Sequence, residues 1–323
     1  MSAVRVSVAL ATRNGARYLP AQLDSILGQT RRVDQIVVSD DASTDGTLDL
    51  AREKLEPSGI DVVAVSNDPP LGVAGNFQAA LAACDGDVIL LSDQDDVWHP
   101  DRVAASVEVL GDGSRWLALH GDARLVDAEG EPLGTTLLDS LEVPAEARAS
   151  IVAGDAFPQF LRRNLATGAT MAIRRELLTL ALPVPTGWIH DEWLAMVAAS
   201  VGRLTLVDRP LIDYRQHGAN EIGIAEPTFR GKARRVLSPR GDRNRVLAAR
   251  AASLDERLAT VDVAEPVRTA AAAKRRFETE RAELPQSRIR RLPTIARLAR
   301  RGEYGRYASR GSADVLRDLL QPW

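Results

Sequence analysis

The chain has 323 residues, of which 45% are hydrophobic and 26% charged, and its formal net charge is −3. This composition is typical of a soluble globular protein with room for one large domain and an appendage. No apolar run approaches the roughly 18 residues that a membrane-spanning helix needs, and Cys84 is the only cysteine. An internal disulfide is excluded, a signal peptide is not expected before the first strand, and a cytoplasmic protein is predicted.

Apolar runs alternate with amphipathic segments through the first hundred residues. Strands are predicted at residues 4–11, 36–39, 62–65 and 88–91, and helices at Leu19–Leu27 and in a segment ending near residue 83. Such alternation indicates an α/β fold with a doubly wound, mostly parallel sheet.

Asp93, Asp95 and Asp96 come directly after the apolar run 88–91. Carboxylates crowded at the end of a buried strand repel one another, and a divalent cation, Mg²⁺ or Mn²⁺, would relieve that repulsion. Ligands of open α/β sheets bind at the carboxyl ends of the strands, where these acids fall. The alternative is a charged turn that caps a helix beginning near Pro100.

A second acidic turn, residues 40–47, follows the second strand. Asp45 is expected to cap the next helix, and Asp41 to bind a ligand. An EF-hand calcium loop starting at Asp41 fails, because Arg52 stands where a bidentate Glu is required. No phosphate-binding Gly-Lys loop and no dinucleotide-binding Gly-rich turn follows the first strand, so ATP-dependent and nicotinamide chemistry have little support.

The segments Val-Ser-Val-Ala-Leu-Ala-Thr-Arg-Asn-Gly, Val-Val-Ser-Asp-Asp-Ala-Ser-Thr-Asp-Gly-Thr and Leu-Ser-Asp-Gln-Asp-Asp-Val-Trp together resemble family 2 glycosyltransferases of the GT-A fold, over about residues 4–223. The resemblance implies that Asp41 contacts the base of a nucleotide-sugar and that the loop from Thr12 to Asn14 lies against the nucleoside. It also implies that Asp93 and Asp95 hold a metal and the diphosphate, with Asp95 as the direct ligand.

The acceptor side is expected after residue 100. Residues 124–135 are predicted to form a hairpin, and residues 136–155 a surface connection or a mobile lid. Residues 167–173 read as a strand beginning near Gly168. It resembles the family's Thr-Gly segment near the substrate, although an ordinary core strand is the alternative.

His190, Asp191, Glu192 and Trp193 begin a predicted helix. Acids in a first turn stabilise the helix dipole, so capping is one explanation. The other is a general base, assigned to Asp191 over Glu192, because adjacent residues of a helix point about 100° apart. With Gly168, the residues His190, Glu192 and Trp193 are assigned to the acceptor side, although a surface position for His190 is the alternative.

The segment Tyr-Arg-Gln-His-Gly-Ala-Asn follows a short strand predicted at residues 209–212 and resembles rhamnosyltransferase-like members of the family. Arg215 is expected to neutralise diphosphate charge, and His217 to complete the metal shell through a neutral imidazole nitrogen. A structural histidine is the alternative.

These parts predict an inverting glycosyltransferase that moves a sugar, with dTDP-rhamnose as the guessed donor, to a glycan or lipid-linked acceptor in cell-surface polysaccharide synthesis. The alternative is a nucleotide-sugar-binding scaffold or sensor without transfer activity. A nucleotidyltransferase is disfavoured, because residues 14–17 match its Gly-rich loop poorly. The transferase domain is expected at residues 1–224, with the donor half at about 1–100 and the acceptor half at about 101–224.

The remaining residues, 225–323, are predicted to form a basic helical appendage. Residues 226–323 contain 23 Lys and Arg against 12 Asp and Glu, so the part before them is strongly acidic. Helices are expected to be separated near Pro239, Pro266, Pro285 and Pro293. The appendage could pack on the acidic domain, form a homo-oligomer, or contact an anionic membrane surface. Nucleic-acid binding is not expected, because few aromatics interleave with the charges.

Overall fold

The structure is a computed structural model, and it describes residues 4–217 and 241–322. Its strands are β1 Val6–Thr12, β2 Gln35–Asp40, β3 Asp61–Ser66, β4 Val88–Ser92, β5 Val97–Trp98, β6 Ala118–Val126, β7 Pro132–Thr136, β8 Ala172–Arg174 and β9 Leu204–Arg215. Its helices are α1 Leu19–Leu27, α2 Thr47–Leu55, α3 Gly72–Ala83, α4 Arg102–Leu110, α5 Leu137–Ser140, α6 Ala145–Ala153, α7 Phe157–Arg162, α8 Glu176–Ala181, α9 His190–Ser200, α10 Arg243–Thr260, α11 Glu265–Ala282, α12 Arg288–Arg300, α13 Glu303–Tyr307 and α14 Ser312–Leu320.

Across the described residues the strands form one sheet in the order β3-β2-β1-β4-β8-β6-β9-β5, with β7 beside β6. Neighbours from β3 to β4 are parallel, and β6 and β9 are parallel to each other. Strands β8, β5 and β7 run antiparallel to their neighbours. The predicted α/β class with a doubly wound, mostly parallel sheet is confirmed. Since β1, β2 and β4 are buried along nearly their whole length, they read as continuous apolar runs in the sequence.

The described chain divides into two compact units. The first contains residues 4–156, 165–184 and 188–217, and the second contains residues 157–164, 185–187 and 241–322. Two short segments that the sequence analysis assigned to the transferase domain, 157–164 and 185–187, therefore group with the helical second unit. Helix α7 lies in the first of these segments.

Two short helices, α5 and α6, occupy most of residues 136–155, where the sequence predicted a surface connection or a mobile lid without indicating helices. Thr136 caps α5 by accepting a hydrogen bond from the Asp139 N–H at 3.3 Å. Helix α6 ends at Ala153, and the next residue, Gly154, has a positive φ of 94° that suits the left-handed position after a helix. The short polar helices show too little apolar periodicity to be recognised in the sequence.

Two predicted strands have different lengths. The strand expected at 209–212 is the twelve-residue β9, Leu204–Arg215, and contains Pro210. Pro210 pairs with Asp122 at a register shift of β6, a position where the sheet tolerates a missing N–H. The strand expected at 167–173 begins instead as a 3₁₀ turn, Gly168–Thr170, and only Ala172–Arg174 pairs in the sheet. The hairpin predicted at residues 124–135 is present as β6 and β7.

The second unit contains α10 to α14. Pro266 lies in the first turn of α11 and Pro285 lies between α11 and α12, as expected, whereas Pro293 lies inside α12. Pro239 and the predicted segment Gly218–Asn220 fall outside the described residues. Within the described ranges, we find no helix that is both long enough and apolar enough to span a lipid bilayer.

Candidate functional site

The loops after β1 and β4 are held together by one side chain, that of Gln94. Its amide oxygen accepts the Arg13 N–H at 2.8 Å, and its amide nitrogen donates to the Arg13 carbonyl at 3.0 Å. A Cβ at Gly15 would lie 2.1 Å from the same Gln94 oxygen, so this close approach requires glycine. The loop after β1 and the loop after β4 therefore meet at the carboxyl edge of the sheet.

The loop after β1 is also bound to the loop after β2. Thr12 Oγ1 donates to Asp40 at 2.8 Å, and the Asn14 N–H donates to Ser43 Oγ at 2.8 Å. Asn14 Oδ1 accepts the Thr44 N–H at 2.9 Å, and its φ is 47°. Thr12 and Asn14 thus join two loops of the protein, and their contact with a nucleoside stays a prediction.

Asp41 is buried and faces the start of α3. Its carboxylate accepts the Leu71 N–H at 2.6 Å and the Gly72 N–H at 2.9 Å, and it lies 3.4 Å from Nη1 of Arg13. An acid suits the positive end of a helix dipole. Asp41 therefore holds the beginning of α3 against the loop after β2, and its contact with the base of a nucleotide-sugar stays a prediction.

Asp95 and His217, two of the predicted metal ligands, are in contact. Asp95 Oδ2 lies 2.9 Å from His217 Nε2. The His217 ring stacks on Tyr18 with centroids 4.7 Å apart and an interplanar angle of 17°. Tyr18, which the sequence analysis did not single out, is therefore the surface that orients His217. Tyr18 lies just before α1, within the loop after β1, and this position could have marked it as a site residue in the sequence.

Asp96 is a buried acid of this loop that the sequence analysis did not assign a role. Its Oδ1 accepts the Arg215 N–H at 3.0 Å. Burial first, and then the charges of Asp95 and Asp93, raise the pKa of Asp96 well above its ordinary value. The charge of the buried Arg102 acts in the opposite direction on Asp96, and burial lowers the pKa of the Arg102 guanidinium to about 9. Asp96 therefore joins the loop after β4 to the end of β9 through its bond to the Arg215 N–H.

Arg215 uses its guanidinium to connect two loops. Nε donates to the Asp95 carbonyl at 2.9 Å, and Nη1 donates to the Ala128 carbonyl at 2.9 Å. The guanidinium carbon also lies 5.1 Å from the centroid of the Tyr18 ring. The cation is thus fixed beside the acidic loop, and its expected contact with a diphosphate stays a prediction.

Asp191 is held at the first turn of α9 by two backbone donors. Its Oδ2 accepts the Gly168 N–H at 2.8 Å, and its Oδ1 accepts the Glu192 N–H at 2.6 Å. The side chain is 8% exposed, so it is mostly but not fully covered. The carboxylate is therefore oriented by the turn that contains Gly168. Both explanations from the sequence, the helix start and the base, remain compatible with this geometry.

Two residues assigned to the acceptor side belong to the core instead. Trp193 is fully buried, and its indole N–H donates to the Ala181 carbonyl at 2.6 Å. His190 is buried against Phe77, with ring centroids 3.8 Å apart, and burial lowers its pKa to about 3. The expectation that they contact an acceptor is corrected, because neither presents a surface to solvent. Glu192 is half-buried.

Tyr214 connects the two halves of the site. Burial raises the pKa of its phenol, followed by the charges of Asp93, Asp96, Asp95 and Asp191. The charges of these four carboxylates all reach one side chain of β9. The fold therefore brings the first turn of α9 near the loop after β4. The sequence predicted both acidic clusters, but only the structure unites them.

The residues available for a divalent cation can be compared with its chemistry. Among the described side chains, no group of three or more His, Cys, Asp or Glu is arranged to hold a metal ion. Asp95 and His217 are a carboxylate and an imidazole in contact, and Asp93 is two residues away. Mg²⁺ and Mn²⁺ sites commonly take one or two carboxylates and complete the shell with water and substrate phosphates. This donor set fits such an ion.

Comparison with known proteins gives the family. A model of the family described as Glycosyl transferase family 2 matches residues 7–119, from β1 into β6. An uncharacterized glycosyltransferase of Nostoc sp., alr2836, is 30% identical over 230 residues, which cover 67% of this chain and 66% of that protein. The dTDP-rhamnosyl transferase RfbG of Shigella flexneri is 27% identical over 242 residues, which cover 70% of this chain and 78% of that protein. The chain belongs to glycosyl transferase family 2.

Solved structures show the same fold. The mannosyltransferase PcManGT of Pyrobaculum calidifontis, solved in complex with GDP-Man and Mn²⁺, superposes with a TM-score of 0.54 at 22% identity. The match covers 94% of this chain and 77% of that one. The architecture is therefore the GT-A fold.

Proposed function

We propose that this chain transfers a sugar from a nucleotide-diphosphate donor to a hydroxyl group of a glycan or lipid-linked acceptor, with inversion at the anomeric carbon. The observation that carries the proposal is the contact between Asp95 and His217 beside the Arg215 guanidinium, which donates to the Asp95 carbonyl. The charge of Asp191 also reaches this region, since it contributes to raising the pKa of Tyr214 together with the carboxylates of the loop after β4. A base and a diphosphate site must lie on opposite sides of one anomeric carbon, so they have to be near each other.

The donor side consists of the loops after β1, β2 and β4. Asp95, with Asp93 and His217, would hold a divalent cation, which when bound offsets the charge of the leaving diphosphate. Arg215 adds a fixed positive charge beside the Asp95 carbonyl, and it requires no rearrangement during the reaction. Thr12, Asn14 and Asp41 shape the loops against which the nucleoside would lie.

The acceptor side is built on Asp191. Its carboxylate would take the proton of the acceptor hydroxyl while that oxygen attacks the anomeric carbon. The N–H groups of Gly168 and Glu192 fix the orientation of the carboxylate before the acceptor arrives. One base, with no side chain assigned as a nucleophile among residues 4–217 and 241–322, implies a single displacement, and a single displacement inverts the configuration.

The nature of the donor and acceptor is supported by the relatives. RfbG is named a dTDP-rhamnosyl transferase, which supports a deoxysugar nucleotide such as dTDP-rhamnose as the donor. PcManGT was solved with a nucleotide sugar and Mn²⁺, which supports a metal-assisted reaction. A role in cell-surface polysaccharide synthesis, on the cytoplasmic side of the membrane, is the setting that we infer. A nucleotide-sugar-binding scaffold without transfer activity is the alternative, and it shares the donor site.

Calorimetric titration with a panel of nucleotide sugars tests the donor site. The panel contains dTDP-rhamnose, UDP-GlcNAc and GDP-mannose, each measured with Mn²⁺, with Mg²⁺ and after EDTA. We expect metal-dependent binding of one donor. Binding should be lost in Asp95→Asn and kept in Asp191→Asn, with Asp112→Asn, an exposed acid, as the matched control.

Transfer to an acceptor distinguishes the enzyme from the scaffold. If one donor binds but no sugar reaches any acceptor of a glycan or lipid-linked panel, the scaffold is favoured. If no nucleotide sugar binds under any metal condition, the donor site is wrong. NMR analysis of the product's anomeric configuration tests the displacement, since retained configuration would exclude the single step through Asp191.

A further inference from the structure

Helix α14 of the second unit is amphipathic in the opposite sense to that of an ordinary surface helix. Its buried residues include Asp314 and Asp318, which are 1% and 4% exposed. Its exposed face carries Leu316 and Leu320, which are 56% and 40% exposed. A surface helix in water normally buries its leucines and exposes its acids.

Specific partners explain why the acids are inside. Asp318 receives two hydrogen bonds from the Arg281 guanidinium, at 2.6 and 3.1 Å, and one from Tyr304 Oη at 2.9 Å. Asp314 accepts the Arg310 N–H at 3.0 Å and lies 3.5 Å from Arg243. Buried carboxylates are stable only with such partners, so these bonds determine how α14 is rotated. The outward direction of the leucines follows from that rotation.

Helix α12 packs on α14 and exposes apolar side chains of its own. The buried Arg291 joins the two helices, because its Nη1 donates to the Asp318 and Gln321 carbonyls at 3.0 and 2.7 Å. On the exposed side of α12, Ile289 is 78% exposed and Leu292 is 47% exposed. Isoleucine and leucine side chains are therefore exposed on both of these neighbouring helices.

The charges of α12 indicate the chemistry of the partner. Residues 288–301 contain no Asp or Glu. Arg288, Arg290, Arg300 and Arg301 are exposed, and within the described parts of the chain none of them forms an ion pair with a carboxylate. Apolar side chains among unpaired arginines are typical of helices that lie in the interface of an anionic bilayer.

We propose that the exposed face of α12 and α14 docks on an anionic lipid surface. We define this lipid-docking face by Ile289, Leu292, Leu316 and Leu320 together with the four exposed arginines of α12 and its C-terminal end. The leucines and isoleucine enter the acyl region while the guanidinium groups bind lipid phosphates. A second copy of the chain fits less well, because a two-fold contact would bring the arginine clusters of both copies together.

Sedimentation with lipid vesicles tests the docking and requires no donor or acceptor. The full chain is mixed with vesicles of phosphatidylcholine alone or of phosphatidylcholine with 30% phosphatidylglycerol, a composition chosen for the assay to approximate an anionic bacterial membrane. We expect at least about tenfold stronger binding to the anionic vesicles. Leu316→Ser/Leu320→Ser should weaken that binding about tenfold, since both side chains are exposed. Val246→Ser, an exposed valine on α10 of the same unit, is the matched control.

The arginines are tested separately. Arg288→Gln/Arg290→Gln should weaken binding to anionic vesicles by about fivefold per arginine and reduce its dependence on salt. Circular dichroism and the urea midpoint of each variant verify the fold. Equal binding to both kinds of vesicle, or equal binding by the leucine variant and Val246→Ser, would overturn the proposal. Dimers that dissociate in the leucine variant without any vesicle binding would assign the face to a second copy instead.

Discussion

The substitution Gly168→Ala adds one methyl group at the point where the turn, the buried histidine and the proposed base meet. The new Cβ would lie 2.9 Å from His190 Nε2 and 3.4 Å from the Asp191 Cβ. His190 cannot withdraw, because it is buried and stacked on the buried Phe77 at 3.8 Å. Non-bonded atoms prefer separations of about 3.5–4.0 Å, so the turn must move by roughly 0.5–1 Å.

Overpacking of this kind costs about 1–3 kcal/mol of the free energy of unfolding. The movement also displaces the Gly168 N–H, which lies 2.8 Å from Asp191 Oδ2. Misplacing a catalytic group by about 1 Å can reduce a rate about 100-fold. We therefore expect Gly168→Ala to lower both the urea midpoint and the transfer rate, while donor binding changes little because the donor loops are separate from this turn.

Gly305→Ala is the matched control, because a Cβ at Gly305 meets no atom within 4 Å. Gly305 lies in α13, where alanine is tolerated, so its stability should equal or slightly exceed that of the wild type. In the double variant Gly168→Ala/His190→Ala, the removed ring makes room for the methyl group. The effects of the two substitutions on the free energy of unfolding should be non-additive by about 1 kcal/mol. A wild-type midpoint and transfer rate for Gly168→Ala would refute this account of the turn.

Three further changes separate chemistry from stability. Asp191→Asn should lower the transfer rate about 10²–10⁴-fold at unchanged donor affinity, and an unchanged rate would exclude this base. Burial lowers the pKa of His120 to about 4, so only the unfolded state takes up its proton as the pH falls from about 6.5 to 4. The free energy of unfolding should therefore fall on acidification, by up to about 1.4 kcal/mol per pH unit for this group. Urea denaturation at pH 7 and 5 should show a shallower fall in His120→Asn, and equal slopes would contradict it. Arg281→Met leaves Asp318 buried without its guanidinium partner, and it should lower the free energy of unfolding in urea by about 3–5 kcal/mol. Arg245→Met, at an exposed ion pair, should lower it by less than about 1 kcal/mol. Equal losses would contradict the stabilising role of the buried pair.

Much of the sheet could be predicted from local pattern. The strands β1, β2 and β4 are buried on both faces, so each appears as an apolar run whose end is marked by polar residues. A parallel sheet also predicts that the acids following β2 and β4 meet at one edge. This expectation drew attention to Asp95 as a metal ligand. The contact between Asp95 and His217 brings together residues 122 positions apart that were assigned to one metal shell. Their role in metal binding stays a prediction.

Local pattern failed where a side chain's surroundings come from a distant segment. The residues Asp41, Asp95 and Asp96 are all acids after strands, and nothing in their own segments distinguishes them. Asp41 accepts a hydrogen bond from the Leu71 N–H at the start of α3. Asp96 is buried and accepts one from the Arg215 N–H of β9. Trp193 could be assigned to an acceptor only while its indole partner, the Ala181 carbonyl, was unknown.

The α/β class, the doubly wound sheet and the kinds of side chain that follow its strands can be read from the sequence, because backbone hydrogen bonding and apolar periodicity act over a few neighbouring residues. Three features depend on the folded chain: which acids are buried, which carboxylates act on Tyr214, and the exposure of Leu316 and Leu320. These outcomes depend on desolvation and on charge pairing, as between Arg281 and Asp318. Both are set by residues that are close in space and far apart in the chain.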